Sequence, residues 1–476
     1  MSDDLATRLS AQFQKHFRCP PALIVRAPGR VNLIGEHTDY NGLPVLPFAI
    51  AQSHYLAAAQ GGQAQIELAN LDPAYPSKTI ALDGLASFSP PGEWDNYLRA
   101  ALLGLLDAGL LRREHLARGM RVSVASDLPS GVGLSSSSAL VVGFALAALH
   151  LNHIEFDRLR LAEALAEAEH YVGTRGGGMD QTVCLLGQEG HALRIDFFPL
   201  KVGAVPVHSV GPVRPVGSVG PVGSVGSVGS VGSVRSAPQF FLTDSGIRVE
   251  KSGAGRLLFN RRPIECRLAL AIFKEWHDEP CRARSWSEEP RYWGDLVKPP
   301  IRLTHESVLR MIREALTQTH YSTSDLCRLL QTGETELRET YLKTGPDDFF
   351  PQPPDGFKLR QRAEHVIAEG RRVDEAAEAL RRNDWPRLAE LIAASHASCR
   401  DLYEISCPEI EHLVAAGREA GALASRLTGA GFGGCVIHLV PEERSEHFVR
   451  AMQKHFGESL SMILVSPSPG AEVRKV

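Results

Sequence analysis

Apolar residues recur with two different periods along the chain, and the switches between them outline its elements. Over 21–50, short Val, Ile and Leu runs alternate with turns, and 121–125 (RVSVA) alternates polar with apolar, so the N-terminal part begins as a mixed sheet. Residues 138–149 are apolar on nearly every side, the pattern of a central buried helix. By contrast, 156–171 sets Leu161, Leu165 and Ala168 on one stripe among Glu and Arg, which predicts an amphipathic helix at the surface. Strand patterns return at 192–200 (ALRIDFFPL) and 238–245 (PQFFLTDS). Beyond 239 the chain reads as mostly helical, including 357–382 and 385–396, and it closes on strand-like runs at 434–440 and 460–465. Helices between paired strands point to an α+β protein.

Between the strand patterns at 192–200 and 238–245 lies a repeat of Gly, Ser or Pro, and Val over 207–236. It is too poor in large side chains to bury a core, and its glycines make ordering costly. A three-residue period also offers no supersecondary unit to stack. The reading is a disordered surface loop between an N-terminal domain, 1–206, and a C-terminal domain, 237–476. With 476 residues, 43% of them hydrophobic, two substantial cores are expected, and two domains provide a cleft. A net charge of −4 offers no global basic surface for nucleic acid or anionic membrane. The opening MSDDLATRLSAQFQKHF lacks an apolar h-region, and the longest apolar run, 139–149, falls short of a bilayer span, so a soluble cytosolic protein is expected. The 8 cysteines form no CxxC pair and show no zinc spacing, which favours free buried thiols.

Four segments carry candidate chemistry. In GRVNLIGEHTDYNG, 29–42, the apolar anchor Val31, Leu33, Ile34 stops at Gly35, and Glu36, His37, Asp39 and Tyr40 follow with no apolar residue among them. Carboxylates and an imidazole suit a neutral polyol, whose hydroxyls both donate and accept. A charged turn after an edge strand is the alternative. LPSGVGLSSSSA, 128–139, leads straight into the buried helix, so backbone N–H groups at a helix N-terminus can approach phosphate oxygens. It lacks the Gly-Lys-Ser/Thr of a Walker loop, which leaves the hydroxyls of Ser135, Ser136, Ser137 and Ser138 as candidate Mg²⁺ and phosphate ligands. A helix cap needs only one hydroxyl and does not account for a row of serines after Gly131 and Gly133. GTRGGGMDQ, 173–181, delivers Asp180 after consecutive glycines. Phosphoryl transfer to an alcohol needs a proton-accepting or orienting group, a cation and a metal, and Asp180, Arg30 and a serine-loop Mg²⁺ fit those places; a glycine hairpin with Asp180 capping a helix is the structural alternative. TGAGFGGC, 428–435, contains GxGxxG, but a helix-like stretch precedes it and the strand follows, the reverse of a Rossmann site, so a glycine loop packed against the cleft is expected.

Together and in this order, the four segments resemble the galactokinase branch of the GHMP small-molecule kinases, a likeness spanning almost the whole chain. The resemblance implies a two-domain fold, ribosomal protein S5 domain 2-like then ferredoxin-like, with the active site in the interdomain cleft. It implies ATP-dependent phosphorylation of α-D-galactose at the C1 hydroxyl, as in galactose metabolism, with Mg²⁺ and no nucleic-acid or membrane partner. A monomer is expected, with a dimer as the alternative. By the same likeness Asp180 is the base facing the anomeric hydroxyl and Arg30 stabilises the transferred phosphoryl group. Glu36, His37 and Asp39 bind sugar hydroxyls, with backbone near Gly177 lining the pocket. Gly131, Gly133, Leu134, Ser135–Ser138 and Ala139 cradle ATP, Trp94 lies near the nucleotide, and Ser137 and Glu169 hold the metal.

Finer matches, such as FNRRPIECRLA at 259–269, resemble the eukaryotic-type galactokinase and N-acetylgalactosamine kinase group. Phe259 stands where many galactokinases have Tyr, leaving a more apolar wall beside the sugar, so N-acetylgalactosamine 1-kinase activity is an alternative. A non-catalytic sugar- and ATP-binding regulator is another, although the intact Arg30, serine row and Asp180 speak against it. Deleting residues 212–234 should leave the melting temperature and sugar-kinase activity nearly unchanged; a large loss of either would show that the repeat is structural.

Overall fold

A computed structural model describes residues 3–173, 176–207, 237–248, 256–278, 288–344 and 348–476. The 207–236 repeat, apart from Val207, lies outside the described residues. Strands β1 (Leu23–Asn32), β2 (Pro47–Gln60), β3 (Gln65–Asn70), β4 (Lys78–Ala81) and β5 (Met120–Ser126) form the N-terminal sheet. A hairpin of β6 (His191–Asp196) and β7 (Lys201–Pro206) follows, then β8 (Gln239–Asp244), β9 (Ala424–Thr428), β10 (Cys435–Val440), β11 (Met462–Val465) and β12 (Glu472–Lys475).

In the first sheet the strand order is β12-β1-β2-β5-β3-β4, and only the β3–β5 pairing is parallel. Helix Ser136–Leu151, apolar almost all round, lies across β1 and β2, and helix Asp95–Asp107 packs on it in turn. Because side chains alternate across a strand, Tyr55, Ala57 and Ala59 face the other way and are covered by Leu9, Phe13 and Phe17 of helix Asp3–Phe17. Every residue of β1 is buried, and the strand points its C-terminal end at the cleft.

The second sheet runs β11-β8-β10-β9, all antiparallel. Numbered by chain position this is fourth-first-third-second, and a long helical excursion and helix Ser445–Phe456 serve as its crossovers, which is the ferredoxin-like arrangement. Helix Leu359–Arg381 joins the two cores, since Val373 and Ala376 belong to the first and Leu359, Ala363 and Val366 to the second.

Most helices expected from the pattern are present, with shifted ends. The amphipathic stretch at 156–171 forms helix Arg158–Glu167 and then a tight 3₁₀ turn, Ala168–Val172. Two expectations need correction. The stretch before the 428–435 glycines, read as helix-like, is helix only over Pro408–Glu419; Ala424–Thr428 forms the fully buried strand β9, paired with β10. The 428–435 glycines therefore connect a hairpin. The strands flanking the repeat, β7 and β8, lie in different sheets, and β12 returns from the expected C-terminal unit, 237–476, to pair with β1. Arg26 secures that return by donating to the carbonyls of Pro469 at 2.7 Å and Gly470 at 2.9 Å.

Candidate active site

A cleft opens between the two sheets and is lined by Arg30, Glu36, His37, Asp39, Asp180 and Phe259, among others. Arg30 sits just past an irregularity in the β1–β2 register, after Gly29, where an added Cβ would lie 2.5 Å from Leu128 Cδ1. Its Nε donates to Asp180 Oδ1 at 2.7 Å and its Nη1 to the Gly133 carbonyl at 2.5 Å. The Arg30 side chain is 3% exposed and that of Asp180 12%, so the ion pair is largely screened from water. Asp180 occupies the first turn of helix Met179–Leu186, entered through Gly178 at φ 95°.

The serine loop turns through left-handed residues, Gly131 at φ 73°, Gly133 at 80° and Ser135 at 60°, before helix Ser136–Leu151 begins. The cap reading fails here, because Ser135 at the N-cap position makes no side-chain capping bond. Its Oγ is buried with no hydrogen-bond partner among the described residues. Ser136 Oγ lies 2.9 Å from His54 Nε2. Ser138 Oγ donates to Glu169 Oε1 at 3.0 Å, and Gln181 Nε2 donates to the same oxygen at 2.7 Å. Ser138, one residue after Ser137, is thus a hydroxyl donor to Glu169. The loop joins the cleft through Arg30 and Glu169, and the residues lining the cleft do not include Gly131 to Ala139. The Leu134 carbonyl accepts the Arg30 backbone N–H at 3.1 Å, and Ala139 is buried in the helix next to Ser138. Trp94 is buried in the N-terminal core, donates to the Pro76 carbonyl and is not among the cleft-lining residues.

The 29–42 turn brings its polar residues together. Gly177 N–H donates to Asp39 Oδ2 at 3.0 Å. Burial pushes the Asp39 carboxyl up to about 6, with the Asp180 charge adding to the effect and the N–H donors of Tyr40 and Gly177 opposing it. Glu36 is 2% exposed; burial raises it too, while Arg426 and Arg30 pull the other way. Its Oε1 accepts from Gly429 N–H at 2.9 Å, which brings the C-terminal glycine loop against the cleft as expected. There the two glycine motifs meet: a Cβ at Gly429 would lie 2.6 Å from the Gly133 carbonyl oxygen. Phe259 packs edge-on against Phe432 at the rim, 5.4 Å between centroids.

Several residues that hold this turn were not found by sequence reading. Arg426 lies 3.4 Å from Glu36, and its Nη1 donates to the carbonyls of Asn32 and Leu33. Glu369 accepts the Gly35 N–H at 2.9 Å, and His365 Nε2 donates to the Glu36 carbonyl at 3.1 Å. The one available signal was a charge inside an otherwise buried pattern, as with Arg426 between Ser425 and Leu427. Among the described residues no group of three His, Cys, Asp or Glu side chains could hold a metal. Glu169 with the serine hydroxyls is instead an oxygen-only set, which suits Mg²⁺, an ion that keeps several waters and takes its other ligands from substrate phosphates.

Mixed sheet, ferredoxin-like sheet and a glycine–serine loop entering a buried helix define a GHMP-type kinase. Residues 96–188 match the GHMP kinases N terminal domain and 376–458 the GHMP kinases C terminal model. Residues 11–60 match the galactokinase galactose-binding signature. The chain is 32% identical to the galactokinase of Dictyostelium discoideum, over 92% of this chain and 84% of that one. It is 31% identical to the Saccharomyces cerevisiae galactokinase, over 90% and 84%, and 29% identical to the human galactokinase, over 99% and 97%. It belongs to the galactokinase family, phosphotransferases that act on a sugar hydroxyl. Its fold matches that of Lactococcus lactis galactokinase complexed with galactose, with TM-score 0.74 and 22% identity over 98% of this chain and 99% of that one. Methanococcus jannaschii mevalonate kinase shares the fold more distantly, with TM-score 0.53 and 16% identity over 94% and 98%.

A Cβ at Gly177 would lie 2.5 Å from both Asp39 Cγ and the Tyr40 nitrogen. Gly177→Ala should therefore displace Asp39 at a cost of about 1–3 kcal/mol. The expected kinetic result is roughly a tenfold rise in KM for the sugar, with KM for ATP within about twofold; an unchanged sugar KM would separate Gly177 from the pocket.

Proposed function

We propose that the chain catalyses ATP-dependent phosphorylation of α-D-galactose at its C1 hydroxyl. What carries this reading is that Asp180, paired with Arg30 at 2.7 Å, lines the same cleft as Glu36, His37 and Asp39. The carboxylates of Glu36 and Asp39 accept from sugar hydroxyls, and the rigid turn sets which face of the ring is presented. Asp180 accepts or orients the proton of the attacking hydroxyl, and Arg30 stabilises negative charge on the phosphoryl group in transit. Backbone N–H groups of the 131–139 loop, at the start of helix Ser136–Leu151, receive the ATP phosphates. Ser137 and Glu169 are the residues that would hold Mg²⁺, which when bound neutralises charge on the phosphate oxygens.

Phe259 against Phe432 makes one rim of the pocket apolar, which favours a second reading in which an acetamido group at C2 is accepted. Comparing kcat/KM for galactose and N-acetylgalactosamine decides between them. No helix among the described residues is long and apolar enough to cross a membrane.

Asp180→Ala should lower kcat by about 10²–10⁴-fold while calorimetry still detects galactose and ATP binding. Substantial residual turnover would remove Asp180 from the reaction. For Asp39 the carboxylate is the binding form, so sugar affinity is complete above pH about 6 and is lost as pH falls through that value. kcat/KM for the sugar should accordingly show an acidic break near pH 6 that Asp39→Asn removes; a break that persists in that variant belongs to another group.

A further inference from the structure

His54 lies on β2 beside the serine loop, where no sequence signal marked it. Alternation along the strand turns it with Leu56 and Ala58 toward helix Ser136–Leu151, and it is 6% exposed. Its Nε2 lies 3.0 Å from the Ser136 carbonyl oxygen and 2.9 Å from Ser136 Oγ. Its Nδ1 is buried with no hydrogen-bond partner among the described residues. A carbonyl oxygen can only accept, so the ring proton is on Nε2. The other neutral tautomer would set two lone pairs against each other at the carbonyl and bury the Nδ1–H without an acceptor. Burial pushes the imidazole down to about 4, with the Ser136 bond opposing, so the ring is neutral. An Nε2 that carries hydrogen has no lone pair for the Ser136 hydroxyl. Ser136 Oγ therefore accepts a share of the Nε2–H, and its own hydrogen turns away from the ring. On that side the Ser130 hydroxyl stands at 3.5 Å, the outer limit of a hydrogen bond.

We propose that His54 is a positioning residue for the nucleotide, acting through Ser136 to direct its hydroxyl hydrogen toward the phosphate-binding turn. The proposal rests on the sugar-kinase reading above. Ser136 is the first residue of its helix, and the first intrahelical bond runs from Ala139 N–H to the Ser135 carbonyl at 3.0 Å. The N–H groups of Ser136, Ser137 and Ser138 thus point out of the helix end. A half-buried hydroxyl in the same turn adds one more donor for an anion there. Without a partner, a first-turn serine side chain divides itself among rotamers, and the shared Nε2–H selects one. As mere filling, the imidazole would serve worse than a leucine, because its Nδ1 lone pair has lost water and gained no donor.

The test compares His54→Leu, which fills similar space without a donor, with His54→Gln, whose amide nitrogen reaches about as far as Nε2. By calorimetry with Mg²⁺ and a non-hydrolysable ATP analogue, Kd should rise about three- to tenfold in His54→Leu, the scale of one lost hydrogen bond, with galactose Kd within about twofold. The Tm of His54→Leu should not fall, and His54→Gln should recover most of the nucleotide affinity. Once Ser136→Ala has removed the group His54 acts through, adding His54→Leu should weaken nucleotide binding by less than about twofold. In ¹⁵N-histidine-labelled protein the His54 signal, assigned by its loss in His54→Gln, should show the Nε2–H tautomer. An Nδ1–H ring, an unchanged Kd in His54→Leu, equal losses in the Leu and Gln variants, or additive losses in the double variant each overturn the proposal. If His54→Leu fails to fold, His54→Asn, whose amide stops short of Ser136, must lose the same affinity or the proposal falls. A wild type that binds the analogue but does not phosphorylate galactose defeats the kinase reading alone, because the affinities are read without turnover.

Discussion

One guanidinium ties the catalytic pieces to the fold. Arg30 is almost wholly removed from water, and a buried cation without partners would cost several kcal/mol. Its needs are met by Asp180 on one side and the Gly133 carbonyl on the other. The helix that bears Asp180 and the loop that precedes helix Ser136–Leu151 must therefore converge on the end of β1. Small residues make the approach feasible, with Gly29, Gly133 and Gly178 each at a point where a side chain would collide or the backbone turns left-handed. In the reaction proposed above, the group that organises the site is also the one that meets the negative charge of the phosphoryl group.

The sugar turn is held by the opposite half of the molecule. Gly35, Glu36 and His37 are each bonded to residues more than 300 positions away, namely Glu369, Gly429 and Ala430. Two buried carboxylates in this region behave differently. Although burial opposes it, Arg372, His365 and Arg426 hold Glu369 down at about 2, so it serves as a permanent acceptor for Gly35 and Ser395. For Glu36, burial prevails over Arg426 and Arg30, and its charge is less well compensated. The two carboxylates are thus distinguished by their surroundings rather than by residue type.

Much of this was legible in local sequence. Residues 138–149 read as a buried helix because their pattern has no polar face, and helix Ser136–Leu151 is that element. Glu36, His37, Asp39 and Asp180 stood out because glycines and an abrupt end of apolar patterning mark where backbone leaves a strand for a cleft. Harder to read was β9, whose residues have no strong strand preference and become a strand only on meeting β10. The cap interpretation of the serines was likewise decided by geometry, since Ser135 leaves its hydroxyl unused for capping.

By itself the sequence determined the local devices: turns that need glycine, a serine row at a helix start, an apolar helix, and polar residues clustered after a strand. These depend on contacts within a few residues, so they can be read in order along the chain. Tertiary structure alone decided that β12 returns to β1, that Arg426 and Glu369 hold the sugar turn, and that His54 reaches Ser136. Each of these joins segments distant in the chain, and only the packing of two sheets around one cleft determines which buried donor meets which acceptor.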